Sequence, residues 1–263
     1  MSVSASARLA VFLLGLGWLA PSLAAQDLKE LARRSRDSVV LLEVYEIGGR
    51  QIGAGTGFFI DDHRLVTNWH VVENAALVEA VLATEEKIDV AGLVARDEVN
   101  DLAILEVEGG PFPALALTDS ASVEAGERVV VLGNPLGSFT GSLSEGIISA
   151  VRLDGLADRL PGASSAPLLQ ITAAISPGSS GSPVMDLDGK VIGVAVSQMV
   201  QGQNLNFAVP APAVRRLLES AAGGRLARTY RAKPSFARGA YFRNLVISVV
   251  LFAALYLTFR YWK

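Results

Sequence analysis

The segment best suited to nucleophilic chemistry is Pro177-Gly178-Ser179-Ser180-Gly181-Ser182-Pro183, a serine set between two glycines and two prolines. Glycine permits a tight turn and lets backbone N–H groups approach a reacting carbonyl. The same residue types also make ordinary loops, so the segment gains meaning only from partners elsewhere. A serine nucleophile needs a general base, and the chain holds two histidines, His63 and His70. His63 lies in Asp61-Asp62-His63-Arg64, a polar turn where a solvated histidine is expected. His70 lies in Thr67-Asn68-Trp69-His70-Val71-Val72, directly after an apolar run. That setting suits a packed core histidine and a half-buried base alike. Asp101 opens the run Asp101-Leu102-Ala103-Ile104-Leu105, from which it would orient the His70 ring and stabilise its imidazolium form.

The elements that must position these residues read as β structure. Val39–Val44, Thr56–Ile60, Leu65–Thr67, Leu77–Leu82, Ile88–Val94 and Leu102–Val107 are short, rich in β-branched residues and separated by Gly, Asp or Asn. A second set follows at Arg128–Leu132, Leu143–Val151, Leu168–Ile171, Val191–Val196 and Asn206–Val209, after a hinge near Pro111–Ser122. Two groups of about six short strands predict an all-β fold of two six-stranded antiparallel barrels. Barrel 1 is expected over about 38–112 and barrel 2 over about 120–210. Helix is confined to a short N-terminal segment, with Asp27 as its cap and Glu30 three residues later, and to Ala213–Ala221 between Pro212 and Gly223.

The two ends differ from the body. Residues 1–25 read as a secretory signal, with Arg8 as the one charge, an apolar run and small residues at Ser22-Leu23-Ala24-Ala25; an uncleaved signal anchor would export the body equally well. Residues 26–222 form the body, residues 223–240 read as an exposed basic linker, and residues 241–263 as a C-terminal transmembrane helix. The apolar run Leu245–Phe259 is shorter than the ~20 residues that span a bilayer, but flanking arginines and aromatics extend it. A surface helix is the rival, and no polar face supports it. The basic charge preceding the run favours a cytoplasmic linker, against the export signal, which commits the body first.

Of 23 basic residues, eight lie from Arg225 onward without one acid, which leaves 15 against 26 acidic residues, a net charge of −11, before them. The acidic body argues against nucleic acid as a partner. The chain has no cysteine, so disulfide and cysteine–metal chemistry are excluded.

The order His70, Asp101, Ser180 matches chymotrypsin-type proteases and neither subtilisins nor α/β-hydrolases. Further motifs narrow the resemblance: Gly55-Thr56-Gly57-Phe58, Thr67 to Val72, Asn100 to Leu105, Gly133-Asn134-Pro135-Leu136-Gly137, Ser144 to Ser149, Pro177 to Pro183 and Asn206 to Pro210. In order and spacing these resemble the HtrA/DegP-type branch of trypsin-like serine proteases, over roughly residues 28–220. The resemblance implies a double β-barrel endopeptidase acting on polypeptides, which the two end segments would export and tether to a membrane, with Ser180 as nucleophile, His70 as general acid/base and Asp101 as its orienting carboxylate. It further implies an oxyanion hole from the N–H groups of Gly178 and Ser180. A substrate pocket would be lined by Ala173, Ala174, Ile175, Val196 and Ser197, and no cofactor is needed. These pocket segments carry no carboxylate, so small or medium aliphatic residues are expected before the scissile bond rather than Lys or Arg.

Three departures stand out. Ser182 occupies a position where the family usually has glycine, no peptide-binding (PDZ) module is visible after Ala221, and no long insertion lies between Tyr45 and Gly53. The oligomeric state stays open. A competing reading keeps the fold as a non-catalytic module that binds polypeptides at the membrane, and a minor one treats the C-terminal segment as a removable sorting signal.

Overall fold

Short runs of valine, isoleucine and leucine, broken by residues that turn easily, become the strands of two closed barrels in the computed structural model. It describes residues 23–118, 123–135, 141–153, 166–196, 205–221 and 226–230. Barrel 1 is built from β1 (Val39–Tyr45), β2 (Gln51–Phe59), β3 (Arg64–Thr67), β4 (Leu77–Val81), β5 (Lys87–Asp97) and β6 (Leu102–Val107), all antiparallel, in the closed order β1-β2-β3-β6-β5-β4. Closure falls to β5, whose two register shifts, at Val90/Gly92 and Leu93/Ala95, bend it enough to pair with both β4 and β6. Barrel 2 comprises β7 (Arg128–Gly133), β8 (Ser142–Arg152), β9 (Leu168–Ile171), β10 (Pro183–Met185), β11 (Val191–Val196) and β12 (Asn206–Pro210), in the closed order β7-β8-β9-β12-β11-β10.

Period-two alternation decides which side chains fill each barrel. Val40, Leu42 and Val44 of β1 point into barrel 1 with Phe59, Leu65, Val78 and Leu105. In β11 the alternation breaks at the register shift against β10, so Ile192 and Ala195 both point into barrel 2 with Val129, Val131, Ile148 and Ile171. The alternate residues are buried too. Val39, Phe58, Val66 and Ile104 from barrel 1 meet Leu132, Met185, Val191, Val194 and Val196 from barrel 2 in a third cluster. The unbroken apolar run Val191-Ile192-Gly193-Val194-Ala195-Val196 is therefore a strand buried on both faces. Two clusters thus fill the barrels, and the third fills the seam that joins them.

Helix α1 (Leu23–Ser35) begins before Asp27, which lies inside it rather than at its cap; Ala24, Ala25 and Gln26 continue the helix toward the N-terminus because they favour it. A one-turn helix, α2 (Trp69–Val72), follows β3, and α3 (Ala211–Ser220) starts two residues earlier than expected, with Pro212 in its first turn. Ala211, Ala213, Val214 and Leu217 of α3 are buried. Arg215 ties α3 to the inter-barrel connection by donating to the carbonyls of Leu117 (2.7 Å) and Thr118 (3.1 Å).

Residues 226–230 differ from the exposed linker expected there. Arg228–Thr229 forms β13 on β5, opposite Leu93 and Gly92, and Tyr230 is buried in barrel 1. Pairing with β5 and the apolar ring of Tyr230 outweigh the basic composition that suggested solvent. The rest of the expected linker and the apolar run Leu245–Phe259 lie outside the described residues, as do residues 1–22 of the expected signal. Among the described residues no helix is long and apolar enough to cross a membrane.

The Tyr230 hydroxyl is buried and has no hydrogen-bond partner among the described residues. Burial pushes its pKa up to about 12, with the nearby Arg228 charge opposing. The folded protein therefore holds the phenolic proton more tightly than the unfolded chain, and stability falls as pH rises from about 10 to about 12. Tyr230→Phe removes the unpaired group, and is expected to leave stability unchanged or raise it by about 1 kcal/mol in urea unfolding. The alkaline loss should shrink in the same variant. A clearly destabilised Phe variant would mean that the hydroxyl has a partner.

Candidate active site

The local fold sets His70 beside Asp101. Thr67 of β3 pairs with Ala103 of β6, so the residues after β3 and before β6 leave the sheet side by side. Asn68 keeps an extended backbone (φ −78°, ψ 148°) before α2, and His70 is the second residue of that turn. Asp97 shapes the opposite corner, where its carboxylate accepts from the backbone N–H groups of Val99 (3.1 Å) and Asn100 (3.0 Å) and from the Asn100 side chain (2.6 Å). Asp101 then takes a left-handed backbone, φ +52°, which aspartate tolerates better than most residues.

Asp101 grips the His70 turn by side chain and main chain together. Its Oδ2 lies 2.6 Å from His70 Nδ1, and its Oδ1 accepts the His70 backbone N–H at 2.8 Å. Its carbonyl accepts from Trp69 N (3.1 Å) and Asn68 Nδ2 (2.9 Å). The two side chains are 18% and 28% exposed, so the pair is sheltered while one edge of the imidazole still meets solvent. A carboxylate on Nδ1 fixes the ring tautomer and leaves Nε2 to act as a base.

Ser180 comes from barrel 2, in the loop between β9 and β10. Short backbone bonds close the loop: Ser179 N to Ser176 O at 2.9 Å and Ser182 N to Ser179 O at 3.0 Å. Gly178 (φ +91°) and Gly181 (φ +88°) both take the left-handed conformation. His70, Gly178 and Ser180 line one cleft of about 340 Å³, together with Ile52, Ala54, Val71 and Pro177. The serine is only 3% exposed, at the floor of that cleft.

Thr56 of β2, quoted within a motif but given no task by the sequence, joins the two halves. Its N–H donates to Ser180 O (2.8 Å), and its Oγ1 donates to Gly178 O (2.8 Å) while accepting from Asn134 N (3.1 Å). Its carbonyl accepts from Thr67 Oγ1 at 2.7 Å, one residue before Asn68. A single buried threonine thus fixes the serine loop against the strand that leads to His70. A small hydroxyl residue between two glycines in an apolar strand was the available signal.

Other expected residues are placed differently. Ala173 is fully buried in the barrel 2 cluster, and Ile175 packs against that cluster. Ala174 is exposed, Val196 lies in the seam between the barrels, and Ser197 is outside the described residues. None of the four described residues is among those lining the cleft around Ser180. Ala173 follows the inward parity of Leu169 and Ile171, which removes its side chain from any pocket wall. His63 is exposed in its turn and donates from Nδ1 to Gly109 O at 2.8 Å.

The departure at Ser182 has a steric basis. Ser182 is fully buried and is not among the left-handed residues, so its Cβ introduces no backbone strain. The room comes from Gly133 on the neighbouring β7: a Cβ there would overlap Ser182 Oγ and approach Ser182 Cβ to 3.2 Å. Gly133→Ala is therefore expected to lower stability by about 1–3 kcal/mol. The double variant with Ser182→Gly should recover most of the loss, since the next neighbour, Thr56 Oγ1, stands at an ordinary 3.5 Å. Additive single effects in thermal unfolding would show that the two positions do not share this space.

Comparison with known proteins identifies the family of the domain. The trypsin-like peptidase domain model matches residues 55–194, more than half of the chain. The chain is 36% identical to the serine protease Do-like HtrB of Bacillus subtilis (strain 168), over 61% of this chain and 36% of that protein. It is also 36% identical to a probable periplasmic serine endoprotease, DegP-like, of Pseudomonas fulva (strain 12-X), over 62% of this chain and 34% of that protein. The chain thus spans about a third of the length of these relatives. The serine endoprotease from Yersinia pestis shares the fold, with a TM-score of 0.62 at 24% identity, covering 73% of this chain and 65% of that one.

Proposed function

Because the chain belongs to the trypsin-like peptidase domain family, we propose that it is a serine endopeptidase of the HtrA/DegP type, acting on polypeptides. The observation that carries the proposal is the His70–Asp101 pair opening on the cleft whose floor is Ser180. Ser180 Oγ attacks the scissile carbonyl, and His70 Nε2 takes its proton and returns it to the leaving amine. Asp101 holds the imidazole and stabilises its charged form. The N–H groups of Gly178 and Ser180 receive the charge that develops on the carbonyl oxygen. The positive φ of Gly178 supports this role, because it turns the peptide at the head of the loop.

The pocket for the residue before the scissile bond is proposed to come from the stretches 173–175 and 194–198, whose sequence carries no carboxylate to select for Lys or Arg. Export by residues 1–25 and tethering by residues 241–263 complete the proposal, which places the peptidase domain on the periplasmic face of the membrane. The DegP-like relative named as periplasmic supports the first of these.

The test is reaction of the full chain with a fluorophosphonate probe, followed by peptide mapping. Label on Ser180 that disappears in His70→Ala is the expected result. A folded protein that takes no label would point instead to a polypeptide-binding module with an idle site.

A further inference from the structure

The turn that carries His70 cannot hold its own geometry. Helix α2 has four residues and closes with Glu73 N on Trp69 O (2.9 Å) and Ala75 N on Val72 O (3.1 Å). A single helical turn is unstable by itself, and the carbonyls that follow it need donors from outside. Both come from one side chain. Arg228 Nη1 donates to Glu73 O at 2.9 Å, and Arg228 Nη2 donates to Ala75 O at 2.5 Å. A planar fork gripping carbonyls two residues apart fixes the orientation of a turn as well as its position. Asn74, between those two residues, lines the same cleft as His70 and Ser180, whereas Arg228 does not.

Arg228 is itself well held. It lies in β13 opposite Leu93, with Ala227 N on Leu93 O at 2.7 Å and Tyr230 N on Ala91 O at 3.0 Å. Its guanidinium lies 5.5 Å from the ring centroid of Tyr230, which is buried in barrel 1. The last described segment of the chain is therefore a strap across β5 that delivers one guanidinium to the back of the His70 turn. Nothing in the basic composition of this region requires such a contact. A solvated arginine would serve a linker equally well.

We propose that Arg228 is a positioning residue for His70, delivered by the β13 strap, so that undocking of the strap releases the turn and lowers the reactivity of Ser180. The inference rests on the endopeptidase reading for its consequence in catalysis, and on the hydrogen bonds alone for its consequence at His70.

The experiment compares the full chain with Arg228→Ala and Arg228→Lys, and with Arg50→Ala as a control, because the Arg50 side chain pairs with Glu46 alone among the described residues, on the β1–β2 hairpin. The fluorophosphonate reaction supplies a limiting rate and a half-saturating probe concentration. Arg228→Ala is expected to lower the limiting rate about tenfold or more, with little change in half-saturation, because misplacing a base slows the chemical step. Arg228→Lys keeps the charge and one donor head and should fall between. The imidazole C–H signals give a second readout that needs no turnover, since the chain has two histidines. His70 should shift or broaden in Arg228→Ala, while His63, bonded to Gly109, stays unchanged and reports a folded barrel. Unchanged His70 signals with a limiting rate within twofold of the parent would overturn the proposal. So would a variant with lowered thermal stability but unaltered rate below its transition, since that is the mark of a merely structural arginine. A parent chain that takes no label would count against the endopeptidase reading alone, and the His70 signals would still decide the role of Arg228.

Discussion

Asp101→Asn is expected to lower kcat by about 10⁴ while leaving the thermal transition within a few degrees of the parent. The separation follows from the four hydrogen bonds at this residue. Two of them, from Trp69 N and Asn68 Nδ2, go to the main-chain carbonyl and survive any substitution that preserves the backbone. Asparagine is the replacement that preserves it, because it tolerates the φ of +52° nearly as well as aspartate. The amide oxygen can still accept the His70 N–H that Oδ1 accepts now. The amide NH₂ must then face Nδ1, 2.6 Å away in the parent, and two donors cannot meet there. The imidazole resolves the conflict by moving its proton to Nε2. All bonds are kept, and the nitrogen that should take the serine proton already carries one. Asp101→Ala should behave differently. It leaves the His70 N–H without its acceptor and puts alanine at a positive φ, so it should cost about 1–3 kcal/mol of stability as well as activity. Measuring kcat and thermal unfolding on both variants checks the argument. An Asn variant that retains more than a tenth of parental kcat would show that the carboxylate does not set the tautomer.

The chemistry was more legible in the sequence than the scaffolding around it. Ser180, His70 and Asp101 stand out as candidates because residue types able to serve as nucleophile, base and orienting carboxylate are few in kind, and only two histidines compete for one proposed role. The strands β1 and β11 were legible for a related reason: their near-continuous apolar runs both become strands buried on both faces. The short pieces were not. β10 has three residues and starts with proline, a residue that argues against a strand, yet Pro183 and Val184 pair across to Val194 and Gly193. The first half of β2, Gln51 to Gly55, reads as a glycine-rich loop, and only the backbone of β1 makes it a strand. β13 depends on a groove beside β5 that no local pattern reveals. The same limit applies at the site. Thr56 acts through bonds to Gly178, Ser180 and Asn134, partners that only the closed double barrel brings within reach. Ala173 is the instructive opposite case. Its burial was readable from its parity with Leu169 and Ile171, and the resemblance that placed it in a pocket ignored that parity.

The joint that Thr56 makes gives the second large effect, expected for Gly181→Ala. Gly181 follows the serine with φ +88°, and its N–H donates to Ala195 O at 3.0 Å in β11. A Cβ added there would overlap the carbonyl oxygen of Thr56 and stand 2.5 Å from Thr67 Oγ1 and 3.1 Å from the Thr56 carbonyl carbon. Two of these three neighbours are backbone, and the hydroxyl is tied by its own bond to Thr56 O, so none can move aside cheaply. Relief requires the serine loop to withdraw from β2, which breaks the bond from Thr56 N to Ser180 O and displaces Ser180. Strain and lost bonds together predict a loss of about 3–5 kcal/mol, or a fall of roughly 10 °C in the thermal midpoint. Ser180 should also cease to react with a fluorophosphonate at temperatures where the variant is still folded. Gly126 supplies the control, with φ +99° and no atom within 4 Å of an added Cβ. Gly126→Ala carries the conformational penalty alone, about 1 kcal/mol, and should leave Ser180 reactive. The difference between the two variants isolates the close approach of the barrels at the serine loop. Equal losses in both would mean that the contact yields, and that the position of Ser180 is set by barrel 2 without the help of Thr56.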